Sequence, residues 1–237
     1  MAVSETSYLD RLGRGRTMQA AVTGFSPAFA PADASLLPVA FATFLDSLDT
    51  LNTATVTLVD QFSAAEEGRK GAVKDLYDRE GRILAYVASN KEWAKQVRSV
   101  KTIVDKIRGN QPKPSKPPTG AETPDQTKQR SSGERSYAEM EGHLNRLIPA
   151  LQAIAGYAPP ATELTIAQLQ ALATSLHTQN LNVANLERQT AAKQAERFEN
   201  YNGGEGLKEK MKAIKAATRA QYGSSSDEYL SVKSIAL

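Results

Sequence analysis

The sequence predicts an all-α protein, a tandem duplication of a three- or four-helix antiparallel bundle joined by a Pro-rich linker. Three observations carry that expectation. Apolar residues recur every three or four positions over long stretches, the period of a helix with one buried face. Short motifs of the first half return in the same order in the second. Between them, Gly109 to Glu134 holds five prolines and one aliphatic residue, Ala121, too little apolar surface to offset its ordering entropy. The resulting division is a first helical module over 1–108, a Pro/Lys-rich linker over 109–135 and a second module over 136–237.

The internal echo is specific. Phe29-Ala30-Pro31 meets Tyr157-Ala158-Pro159 at an offset of 128 residues, where Leu36 also meets Leu164, Leu48 meets Leu176 and Asn52 meets Asn180. Ser7-Tyr8 answers to Ser136-Tyr137, Tyr77 to Tyr201, and Ser99-Val100-Lys101-Thr102-Ile103 to Ser231-Val232-Lys233-Ser234-Ile235.

Taken in order, Phe41, Phe44, Leu48, Leu51, Thr55, Leu58 and Phe62 form one seam on a long amphipathic helix. The β-branched run Thr53 to Val59 favours a strand locally. The helical phase overrides it, because the matching stretch Leu181 to Glu187 is not β-rich. Gly68 and Gly71 loosen this helix, and Gly81 precedes a further seam of Ile83, Val87, Val97, Val100, Val104 and Ile107. In the second module, Tyr137, Met140, Leu144, Leu147, Leu151 and Ile154 make the most regular seam, with Pro149 placed to kink it. After Pro159-Pro160 come Leu169, Leu172, Leu176, Val183 and Leu186. Gly203-Gly204-Glu205-Gly206 then breaks the chain before Leu207, Met211, Ile214 and Thr218. A second break, Gly223 to Asp227, offers a serine or Asp227 as N-cap of a short last element.

Composition excludes several function classes. The chain has no cysteine, which removes disulfides, thiol nucleophiles and cysteine-built metal sites. Its net charge of +3 does not demand an anionic partner. No apolar run approaches the roughly 20 residues of a membrane-spanning helix. The start, with Arg11, Arg14 and Arg16 before Met18 to Ala30, imitates a signal peptide, but Gln19, Gly24 and Pro27 interrupt its apolar stretch. A cytoplasmic location is expected.

Catalytic and metal constellations are not found. His143 and His177 are the two histidines, and Glu139 precedes His143 by four residues with no second pair to complete a carboxylate–histidine metal site. Asp46/Asp49 and Glu66/Glu67 fall where a solvated helix face or a turn is expected. The stretch Gly203 to Lys208 opens a lysine-rich helix but lacks the spacing of a phosphate loop. No catalytic, cofactor-binding or metal residue is therefore assigned, and no cofactor or small-molecule substrate is evident. Pro114-Ser115-Lys116-Pro117 fits a PxxP pattern but is read as part of a stiff spacer rather than as a ligand motif.

Two basic stripes stand apart from this background. Lys208, Lys212, Lys215 and Arg219 share one helix face, as do Lys91, Lys95, Arg98 and Lys101 at the corresponding place in the first module. Such rows suit nucleic acid or another acidic partner through phosphate or carboxylate contacts. An ordinary solvated face explains them too, and only Trp93 interleaves an aromatic ring.

Arg135-Ser136-Tyr137, Tyr157-Ala158-Pro159 with Glu163-Leu164-Thr165, Ser225-Ser226-Asp227-Glu228-Tyr229 before Val232, and Leu76-Tyr77 together give the chain a likeness. It resembles a group of uncharacterised bacterial duplicated helical-bundle proteins, mostly from Bacteroidota. The resemblance implies the duplicated helical fold and implies no chemistry. The expected function is a non-enzymatic structural or interaction protein, a self-assembling subunit whose partners are further copies or other proteins. Nucleic-acid or acidic-partner binding through the basic stripes is the alternative.

Overall fold

A computed structural model describes residues 5–109 and 136–237. The expected linker beyond Gly109, with its PxxP pattern, lies outside the described residues. Among those residues all regular structure is helical. Helix α1 spans Glu5–Thr23, α2 Pro38–Ser89, α3 Ala94–Arg108, α4 Tyr137–Gln152, α5 Ile166–Asn202, α6 Leu207–Tyr222 and α7 Asp227–Lys233, with 3-10 turns at Ala34–Leu36, Lys91–Trp93 and Thr162–Leu164.

Local chemistry explains most boundaries. Ser136 and Glu139 form a capping box at the start of α4, each side chain satisfying the other's backbone amide. Ser226 caps α7 by accepting from the Tyr229 amide. The β-branched stretch of α2 is helical, and the Thr53, Thr55 and Thr57 hydroxyls donate to the carbonyls of Asp49, Leu51 and Thr53. Pro149 lies within the final turn of α4, where the helix stops at Gln152. At Gly203 to Gly206 the chain makes a plain helix-to-helix turn, with the Gly206 amide donating to the Gly203 carbonyl.

The glycines of α2 do not break it. The helix continues through Gly68, Gly71 and Gly81 to Ser89, and the real stop is Asn90, whose side chain accepts from the Glu92 amide. Each helical glycine costs up to about 1 kcal/mol relative to alanine. Burial of Val73, Leu76, Ile83 and Val87, at roughly 1.5–3 kcal/mol for each large aliphatic side chain, outweighs that cost. Gly81 also leaves room for another group. A Cβ there would stand 2.8 Å from the Arg108 guanidinium.

This continuity decides what packs on what. The chain divides into two compact units, one of Met1–Phe62 with Leu186–Leu237 and the other of Ser63–Asn185. These units cut across the expected 1–108 and 136–237 modules. Residues 38–62 of α2 share a core with α1, the end of α5, α6 and α7, and residues 63–89 share one with α3, α4 and the start of α5, so each stretch meets helices from both halves of the sequence.

In the first unit, Tyr8, Leu12, Met18 and Val22 of α1 and Phe41, Leu45 and Leu48 of α2 share a core with Tyr201, Leu207, Met211, Ile214 and Val232. Gly15 marks a close approach, since a Cβ there would meet Leu45 Cδ2 at 2.7 Å and Leu207 Cδ1 at 3.1 Å. Asn52, buried, donates to the Tyr201 hydroxyl at 2.8 Å. The Arg11 guanidinium donates to the Tyr201 carbonyl at 2.9 Å.

In the second unit, Leu76, Ile83 and Val87 of α2 and Val100, Val104 and Ile107 of α3 pack against Met140, Leu144, Leu147 and Leu151 of α4 and Leu169, Leu172 and Leu176 of α5. The Arg108 Nε donates to the buried Glu80 carboxylate at 2.6 Å. Tyr86 and Tyr157 stack edge to face and donate to the carbonyls of Ala158 and Leu164.

Candidate functional site

The clearest convergence of polar groups lies between α4 and α5 of the second unit. Glu141 projects from α4 and accepts from Asn180 Nδ2 at 2.8 Å, while its other oxygen lies 2.8 Å from His177 Nδ1. An ionised Glu141 fixes the tautomer with hydrogen on Nδ1. The lone pair on Nε2 is then left to accept a hydrogen bond. Glu141, His177, Asn145, Gln170 and Thr174 border a shallow groove of about 550 Å³ with Ile148 and Ala173 on its floor. Groups of this kind can hold a small polar molecule. A hydrolytic centre also needs a nucleophile or a group of opposed role, and the Thr174 hydroxyl is engaged with the Gln170 carbonyl.

The other titratable residues considered from sequence have structural partners. Asp46 and Asp49 both receive the Arg16 guanidinium, at 3.1 Å each. Glu66 faces Arg69 at 3.5 Å and Glu67 faces Lys70 at 2.6 Å, the latter raising the lysine pKa through its hydrogen bond. His143 is buried on α4. Glu139, one turn before it, serves the capping box. Hydrogen bonding from the Ser136 amide, followed by its hydroxyl, holds the Glu139 carboxyl below its ordinary pKa, with His143 contributing. Among the described residues no group of three or more metal-ligating side chains gathers.

The basic stripes are unequal. Lys91, Lys95, Arg98 and Lys101 are exposed, and of these Lys101 is committed to Asp105 at 2.7 Å. In the first unit Lys208, Lys212 and Arg219 are exposed, and Lys212 pairs with Glu209 at 2.7 Å. Lys215 is diverted altogether. Its ammonium donates to the carbonyls of Lys233 and Ile235 at 3.2 and 2.5 Å, capping the end of α7, and partial burial lowers its pKa.

Sequence reasoning did not find the Glu141–His177–Asn180 cluster. Asn180 stood out only as the counterpart of Asn52 and His177 only as one of two histidines, and 36 residues separate the glutamate from the histidine. No helix among the described residues is long and apolar enough to cross a membrane. Compared with known families, characterised proteins and solved structures, the chain matches none.

Proposed function

We propose that the chain is a non-enzymatic structural or interaction protein, a self-assembling subunit formed by duplication of one helical module. The observation that carries this reading is the set of large apolar side chains left in water. Val39 is 80% exposed, Leu181 60%, Leu9 57% and Phe198 53%. Single exposed leucines are ordinary. Here they sit on long helices whose seams already associate with helices distant in sequence, and each offers a contact point for a further copy. Light scattering of the purified protein over a concentration series tests the reading. Particles larger than the monomer are expected, with loss of size in a Leu181→Ser/Phe198→Ser variant. A monodisperse monomer at high concentration overturns it.

A second reading, anionic-partner binding, is favoured by Lys91, Lys95 and Arg98, which are exposed on one stretch without an ion-pair partner among the described residues. Replacing all three by glutamate should abolish any mobility shift of nucleic acid at low salt. Lys215 is a poor choice for that experiment, because reversal there removes the α7 cap. Absence of a shift with the unaltered protein rejects this reading and leaves the first untouched.

A further inference from the structure

We propose that residues 5–109 and 136–237 are binding partners of one another, so that the interaction surface built into each half is one that receives a second, like half. The reciprocity of the contacts points to this. Arg69 of the first half lies over the ring of Tyr137 of the second, its guanidinium carbon 3.8 Å from the centroid. Arg197 of the second half lies over Tyr8 of the first, at 4.2 Å. The two arginines are 128 residues apart and the two tyrosines 129, the same spacing that relates the sequence echoes. Each half gives what it receives.

The buried seams follow the same rule. In the first unit Leu207, Met211 and Ile214 of the second half close the core begun by Phe41, Leu45 and Leu48 of the first. In the second unit Met140, Leu144 and Leu147 close the core of Val100, Val104 and Ile107. Asn52 and Tyr201, both buried, hydrogen-bond across the halves and fix the register. Each half covers its apolar faces only in part, α1 lying on the start of α2 and α3 on its end, and helices of the other half complete both cores. The covalent connection between the halves raises the effective concentration of one for the other.

The inference is independent of whether whole chains assemble and of any anionic partner. It is tested on the full chain carrying a site-specific protease sequence after Thr119, with circular dichroism establishing that the uncut protein is folded. After complete cleavage the two fragments are expected to co-elute at the volume of the uncut protein, in equal amounts and with unchanged helicity. Cleavage should also convert a concentration-independent melting temperature into one that falls on dilution. Fragments that separate on the column, each retaining its helicity and cooperative melt, overturn the inference, because contiguous modules would behave that way. Should the insertion prevent folding, the same cut placed after Gln129 gives the same two outcomes.

Discussion

The guanidinium carbon of Arg197 stands 4.2 Å above the ring of Tyr8, joining residues 189 positions apart. Arg197 is only 4% exposed, so its long aliphatic stem and its charge are both committed to the core edge of the first unit. Tyr8 in turn meets the Tyr201 ring edge to face at 4.8 Å. Desolvated cation–π pairs contribute about 2 kcal/mol. Arg197→Ala is expected to lower stability in urea denaturation by about 2 kcal/mol or somewhat more, through lost packing as well as lost charge. A double-mutant cycle with Tyr8→Leu should return a coupling of about 2 kcal/mol, and additive effects would show that the pair does not interact.

Two glycines of α1 should respond in opposite directions. A Cβ on Gly13 meets nothing within 4 Å, so Gly13→Ala is expected to raise stability by about 1 kcal/mol, the difference in helix propensity. Gly15 faces Leu45 and Leu207, and Gly15→Val is expected to cost about 1–3 kcal/mol by overpacking. Thermal melts of the two variants decide the matter.

The Glu80–Arg108 pair is asymmetric, with the carboxylate buried and the arginine partly in water. Arg108→Ala leaves a charge in the core and is expected to cost about 3 kcal/mol. Glu80→Gln keeps an acceptor for Nε and should cost distinctly less. Equal losses in the two variants would contradict the account.

Stability should fall at both ends of the pH scale. Glu139 and Glu163 have carboxyl pKa values below the ordinary 4.5, the first through the Ser136 amide and the second through its own backbone amide and then Arg82. A lowered carboxyl pKa stabilises the fold above the ordinary value, and that contribution disappears as pH falls from about 4.5 through the lowered values. At the alkaline end burial, with Tyr86 nearby, pushes Tyr157 up to about 12 from 10.0. Between those values the unfolded chain has lost a proton that the folded chain keeps, so stability declines as pH rises. Tyr157→Phe should flatten that alkaline decline in denaturation experiments while costing about 0.5–1.5 kcal/mol at neutral pH, the hydrogen bond to the Leu164 carbonyl.

The helical class was legible because burial imposes a period, and Leu48, Leu144, Leu176, Met211 and Ile214 are indeed buried along single faces. The period says which face is covered and is silent about what covers it. That is why the exchange of helices between halves escaped the sequence, as did the Arg69–Tyr137 and Arg197–Tyr8 pairs. Gly81 marks a boundary before a further seam in the sequence because its cost is local, whereas its benefit, space for the Arg108 guanidinium, belongs to a helix further along the chain. The spacing Ser136-x-x-Glu139 is that of a capping box, a local signal passed over beside the apolar seam that begins at Tyr137. The Glu141–His177 contact depends on the relative rotation of α4 and α5, which no residue spacing encodes. Among the basic positions, composition could not distinguish exposed Lys95 from Lys215, whose role depends on where α7 ends.

The central claim is that each compact unit is made from both halves of the chain. It is tested most directly by nuclear Overhauser contacts between the rings of Tyr8 and Tyr201, recorded on dilute full-length protein, where the account places the ring centroids 4.8 Å apart. Cross-peaks between these rings are predicted. Their absence, with Tyr8 contacting only residues of its own half, would contradict it.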